Sequence, residues 1–152
     1  MLEFFSASTR MVNPQRAILE CLEASLGPED QTCDLIIINA SIGHNLSDLM
    51  KEAHFYSPKA RVVGASCAGI IGREGVSESL KDVAMMAIRG HEFAISHVDG
   101  IYGDNSLEKA TELASKLKGH NPDINMIYLL VSGIDIANDH VIQGFEAVFG
   151  PE

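Results

Sequence analysis

The chain has 152 residues, of which 46% are hydrophobic and 21% charged, and its formal net charge is −10. A chain of that size suits one domain and buries roughly 68 to 70% of the surface that its unfolded form exposes, so a self-sufficient core is expected. The acidic balance argues against nucleic acid and anionic membrane surfaces as partners, because affinity for polyanions comes from Lys and Arg displacing counterions. No apolar run, "LIIINA" from Leu35 to Ala40 among them, approaches the ~20 residues of a membrane helix. The N-terminus lacks the basic start and apolar stretch of a signal peptide, and a cytoplasmic location is the expectation.

Leu2 to Ser8, "LEFFSAS", reads as a first strand ending in small polar residues. Asn13 before Pro14 is a helix start, since proline at the first helical position loses no hydrogen bond. Ile18, Leu19, Leu22 and Leu26 then recur at helical spacing until Gly27-Pro28 stops the helix. Cys33 to Ser41, "CDLIIINAS", is a continuous apolar run of the kind buried on both sheet faces. A second helix follows through Leu46, Leu49, Met50 and Ala53 to Ser57-Pro58, and Ala60 to Ser66, "ARVVGAS", is a third strand. Strands separated by helices imply parallel pairing, here a β-α-β-α-β unit.

Further on the period changes. Asp82 to Ile88, "DVAMMAI", and Glu92 to Val98, "EFAISHV", flank Arg89-Gly90-His91, which predicts an antiparallel hairpin. A third helix begins near Ser106 and carries Leu107, Ala110, Leu113, Ala114 and Leu117 on one side. A buried-type strand, Asn125 to Gly133, and a last helix with Val141, Phe145, Val148 and Phe149 complete the pattern. The expected fold is α/β: a mixed, mostly parallel sheet with helices packed on it and an antiparallel hairpin. No linker or internal boundary is visible, so residues 1–152 read as one domain.

In an open α/β sheet ligands gather beyond the carboxyl ends of the strands, where strand-to-helix turns present free N–H groups. The strand ends share a composition: Ala7-Ser8, Ala40-Ser41, Ala65-Ser66 and Ser132-Gly133. Small side chains topped by hydroxyls leave a crevice with hydrogen-bonding capacity and little charge. The stretch "VVGASCAGIIGREG", Val62 to Gly75, continues the third strand with Gly64, Gly69, Gly72 and Gly75 around Ser66 and Cys67. A nucleophile elbow needs G-x-S-x-G, and Ala68 occupies the second glycine's place, with Gly69 one position late. A phosphate loop needs G-x-x-x-x-G-K-[ST], and Ile70 and Ile71 replace its lysine and hydroxyl. The dinucleotide spacing G-x-G-x-x-G is absent as well. A catalytic Cys67 needs a base or a positive potential, and only Arg73 and a distant His44 offer themselves. Otherwise it is a small thiol in a tight turn. The three cysteines, Cys21, Cys33 and Cys67, form no C-x-x-C pair, and the six histidines show no H-E-x-x-H spacing. No metal or cofactor is expected.

Residues 62–76, preceded by "CDLIIINASIGHN" and followed by "DVAMMAI", resemble the N-terminal part of the FIST domain family (F-box and intracellular signal transduction). Gly64, Ser66, Ala68 and Gly69 match its Gly-Cys-Ser-Thr-Ala-Gly-like motif, with Ala65 in the Cys position and Cys67 in the Thr position. Ser41 matches the serine after the second strand, and Val141 to Phe145, "VIQGF", is similar to the family's late helix with its central Gly144. The resemblance implies a sensory input domain of prokaryotic signalling proteins that binds small ligands such as amino acids. In the family such a domain is usually followed by a second half, so the resemblance implies either a short family member or a chain that continues into a FIST C-like half or a signalling output domain. The expected ligand-binding residues are Ser41, Gly64, Ser66, Cys67, Ala68, Gly69 and Arg73, the partner a small polar metabolite, and the function non-catalytic. Two alternatives stand beside it: acyl transfer by Cys67 or Ser66, and a protein-interaction module using an exposed face of the last helix at Phe145 and Phe149.

Overall fold

A computed structural model describes residues 1–72 and 75–151. They divide into two compact units, Met1–Glu92 and Phe93–Glu152, and each is described separately. The first holds β1 (Glu3–Thr9), α1 (Pro14–Leu26), β2 (Leu35–Ser41), α2 (Leu46–Tyr56), β3 (Arg61–Cys67), β4 (Ile70–Gly72), β5 (Gly75–Ser77) and β6 (Val83–Arg89). The second holds α3 (Ser106–His120) and α4 (Asn138–Phe149).

Both helices of the first unit start at an asparagine. The Asn13 side chain accepts a hydrogen bond from the Arg16 N–H at 3.0 Å, and that of Asn45 accepts from Ser47 at 3.0 Å. Asn13 thereby serves one, and Asn45, which also accepts from Asp48 at 3.4 Å, two of the N–H groups that a first turn leaves without an intrahelical partner. Apolar residues at helical spacing bury Ala17, Ile18, Cys21 and Leu22 of α1 and Leu49 and Ala53 of α2. These meet Ile36, Ile38 and Ala40 of β2 with Val83, Met85 and Ala87 of β6 in one core. Each large aliphatic side chain so buried contributes roughly 1.5–3 kcal/mol.

The main sheet has the order β1-β6-β2-β3. β2 and β3 are parallel, with Ile38 beside Gly64 and Ser41 beside Cys67. β6 is antiparallel to both β1 and β2. The mixed sheet, its helices and a hairpin are therefore present as expected, with three corrections. β6 lies between β1 and β2, so those two run in the same direction without pairing. The hairpin is not formed by 82–88 with 92–98, because β6 spends both its edges on β1 and β2. It is instead β4 with β5, a two-stranded sheet of its own in which Ile71 pairs with Val76. Gly75 enters it at φ +110, a conformation that L side chains rarely adopt. Finally, residues 92–98 and 125–133 carry no strand assignment; their apolar composition suits a strand, but a strand exists only where a partner supplies the ladder.

In the second unit α3 packs on α4 through Ala110, Ala114, Leu117, Val141 and Phe145. Phe145 is buried and Phe149 packs against the same cluster, which removes the exposed aromatic face expected for the last helix. The close approach depends on Gly144. A Cβ there would lie 2.6 Å from Ala110 Cβ and 2.9 Å from the Thr111 backbone nitrogen. Gly144→Val should therefore lower stability by about 1–3 kcal/mol through overpacking. Gly119→Ala, in open space on α3, should raise it by about 0.4–1 kcal/mol. Thermal melts followed by circular dichroism read both, and equal behaviour of the two variants would refute this packing.

Candidate functional site

Because β1, β2 and β3 point the same way, their carboxyl ends, Ser8-Thr9, Ser41 and Ser66-Cys67, lie along one edge of the sheet with the start of β6 among them. That start is fixed by a reciprocal knot between Ser41 and Asp82. The Ser41 N–H and hydroxyl both donate to the Asp82 carbonyl, at 2.9 and 3.0 Å. The Asp82 N–H in return donates to Ser41 Oγ at 2.8 Å. Ser41 is 0% exposed and Asp82 1%, so these bonds exchange with no water and each loss is costly.

The buried Asp82 carboxylate has two further partners. It accepts from the Ser79 N–H at 2.8 Å and is paired with Arg10 Nε at 3.3 Å. Arg10, mostly exposed, also donates from Nη2 to Ser77 Oγ at 3.2 Å. The β4–β5 hairpin stands over the same edge. Its Ile70 is buried, and a Cβ on Gly72 would lie 2.6 Å from Ser8 Oγ. A Cβ on Gly69 would lie 2.8 Å from the Ser77 carbonyl. Both glycines are there because another part of the chain passes too closely for a side chain.

The structure sorts the predicted site residues into three groups. Ser66, Cys67, Ala68 and Gly69 come together at the open end of β3, where Ser66 and Ala68 are exposed. Ser41 lies beside Cys67 in the ladder, but its hydroxyl is spent on Asp82. Gly64 sits in mid-strand, where a Cβ would meet the Ile38 carbonyl at 2.5 Å, which makes it a packing glycine away from the edge. Arg73 lies outside the described residues. Sequence reasoning missed Asp82 and Arg10. The signal for Asp82 was a carboxylate placed directly before a strand buried on both edges.

Cys67 is half-buried. Burial pushes its thiol above the ordinary range, a hydrogen bond with the Gly69 backbone pulls it down, and the Asp82 charge pushes it up again. A negative neighbour is the reverse of what activates a thiolate. His44 is tied through Nε2 to the Lys81 carbonyl at 2.9 Å, a contact in which that nitrogen is the donor. The other two thiols, Cys21 and Cys33, are buried, and burial drives Cys21 to about 12.

An open depression of about 490 Å³ in the second unit is lined by Tyr102, Gly103, Asp104, Asp135, Ile136 and Ala137. Two carboxylates near the starts of α3 and α4 leave it poorly suited to an anion. Among the described residues no helix is long and apolar enough to cross a membrane.

Against known families, the model of the FIST N domain matches residues 34–152. The chain belongs to the FIST family. The match takes in β2, β3, the hairpin, β6 and both helices of the second unit, hence the whole Ser41–Asp82 edge except the contribution of β1. FIST domains are in general sensory domains of signal transduction. Neither the curated proteins nor the solved structures contain a match.

The thiol environment gives a pH prediction. With its folded pKa raised, Cys67 holds its proton at neutral pH, so iodoacetamide should label it more slowly than a free thiol at pH 7, the rate climbing only in the alkaline range. Cys21 and Cys33 should react later still. Labelling of Cys67 at pH 7 faster than a free thiol would overturn this reading and restore acyl transfer as a function.

Proposed function

We propose that this FIST domain is a non-catalytic, cytoplasmic sensory module that binds a small polar metabolite, an amino acid or a close relative, at the carboxyl edge of its sheet. The observation that carries the reading is the open carboxyl end of β3, where the exposed Ser66 and Ala68 follow one another in a turn of small residues. Ser66 offers a hydroxyl donor and acceptor, and the exposed turn at Ala68 offers backbone groups to a ligand. Binding through neutral hydrogen bonds suits a ligand whose own charges balance. The family's general sensory role supports the same conclusion.

The raised pKa of Cys67 and the engaged state of Ser41 favour binding over acyl transfer. The net charge of −10 favours a small solute over nucleic acid or an anionic membrane. The signal passes, on this reading, to a FIST C-like half or to an output domain. It requires two conformations that bind the ligand unequally, since equal affinity shifts no equilibrium.

A thermal-shift screen of the whole chain against amino acids and related metabolites tests the proposal. A true ligand at ~100 times its Kd should add roughly 2.7 kcal/mol of stability. Ser66→Ala should weaken that ligand about five- to tenfold, the value of one hydrogen bond, while leaving the unliganded melting point in place. A panel in which no compound moves the midpoint would refute direct sensing. A ligand indifferent to Ser66→Ala would move the site elsewhere.

A further inference from the structure

β3 closes one side of the main sheet and is paired on β2 alone. The Arg61 N–H donates to the Asp34 carbonyl at 2.9 Å, and successive residues of a strand turn their peptide groups to opposite sides. Val63, Ala65 and Cys67 therefore face β2 as Arg61 does, and the N–H and C=O groups of Val62, Gly64 and Ser66 point away from the sheet. Among the described residues no other backbone bond takes them. The strand also lacks what usually blocks a free side: it holds no Pro or Lys, its register runs without a bulge from Arg61 beside Leu35 to Cys67 beside Ser41, and its only charge is Arg61. β1, at the other side of the sheet, has Gly72 lying on its Ser8.

We propose that two copies of this chain pair through the free sides of their β3 strands, antiparallel and centred on Gly64, and that each copy thereby sets its Arg61 beside Cys67 of the other. The occupant follows from the pattern of free groups. Only a register centred on Gly64 uses all of them, exchanging bonds between Val62 and Ser66 in both directions and between the two Gly64 residues. A two-fold axis at Gly64 thus makes the surface its own complement. Charge permits the meeting: a chain of net charge −10 carries no acidic residue in Arg61–Cys67, and antiparallel pairing holds the two Arg61 side chains at opposite ends. One strand of 7 residues from each copy makes a small interface, so the dimer is a weak one. Its consequence for the ligand rests on the sensory reading above. Ser66 and Ala68 offer neutral groups, and Arg61 of the second copy, next to Cys67, adds a guanidinium whose paired N–H groups fit a carboxylate on the ligand. Ligand and dimer then stabilise each other.

Cross-linking of the whole chain tests the pairing and its register without any ligand. Residues that face each other between the hydrogen-bonded pairs of an antiparallel ladder have Cα atoms about 4.5 Å apart, within the span of a disulfide. Arg61→Cys treated with diamide should therefore give a covalent dimer that dithiothreitol reverses, and Arg61→Cys combined with Cys67→Ser should give none. A chain still monomeric after oxidation, or a covalent dimer that survives Cys67→Ser, would overturn this register. In sedimentation the wild type should gain mass toward a dimer between roughly 10 µM and 1 mM. Over that range the amides of Val62, Gly64 and Ser66 should exchange at least about threefold more slowly, while those of Val63 and Ala65 keep their rates. Val62→Pro removes an outward N–H and no bond to β2, and it should weaken the dimer about tenfold, one bond being lost at each end. An undiminished dimer would refute the pairing, and where the variant unfolds the amide pattern of the wild type decides. A chain monomeric at the highest concentration, or the same amides protected in the monomer, would overturn the dimer. At the site, Arg61→Gln should dimerise as before yet bind a metabolite found by thermal shift about tenfold more weakly; equal affinity would remove Arg61 from the site. If no metabolite shifts the melting point while Arg61→Cys links to Cys67, the sensory reading falls and the dimer stands. If a metabolite binds and no dimer forms, the dimer falls and the reading stands.

Discussion

The hydrogen-bond exchange between Ser41 and Asp82 is the constraint on which the carboxyl edge of the sheet depends. It joins residues 41 apart in sequence, in full burial, and so fixes where β6 starts relative to where β2 ends. The consequences run outward. With its backbone held, Asp82 presents a carboxylate that positions Ser79 and Arg10, and Arg10 reaches Ser77 in the hairpin. A single buried carboxylate thus organises three loops without leaving a polar atom unpaired; among the described residues no buried side-chain nitrogen or oxygen lacks a partner.

The small residues of Val62–Gly75 acquire distinct reasons from this arrangement. Gly64 lets β3 lie against the Ile38 carbonyl, while Gly69 and Gly72 admit the hairpin against Ser77 and Ser8. These are requirements of close backbone approach rather than of nucleophile or phosphate chemistry, and they explain why the stretch is rich in glycine yet fits no catalytic spacing. Cys67, between them, is a thiol held protonated by burial and by Asp82. Ser66 and Ala68, the exposed members, are the ones left for a ligand.

Local signals in the sequence were reliable. Asn13-Pro14 and the stripe Ile18-Leu22 specify α1 because capping and a 3.6-residue period act within one turn. "LIIINAS" specifies a buried strand because apolar side chains on both faces need cover on both. What stayed hidden was pairing. Nothing within "DVAMMAI" says that it inserts between β1 and β2, since that choice is made by Asp82 meeting a serine in a distant strand. The apolar segments 92–98 and 125–133 have strand composition without a ladder in the structure, and the hairpin is instead the one in which Ile71 pairs with Val76. The site was legible to the same degree. The hydroxyl-tipped strand ends could be read as a set, whereas Ser41 spends its hydroxyl on Asp82 and Arg10 enters only through the fold.

The most direct test of this account is the unfolding free energy of Ser41→Ala in urea, set against Ser66→Ala from the neighbouring strand end. Loss of the Ser41 hydroxyl leaves the buried Asp82 groups short of a partner and should cost about 1–3 kcal/mol. Loss of the exposed Ser66 hydroxyl should cost less than about 0.5 kcal/mol. A Ser41→Ala protein as stable as Ser66→Ala would contradict the claim that the Ser41–Asp82 knot fixes this edge of the sheet.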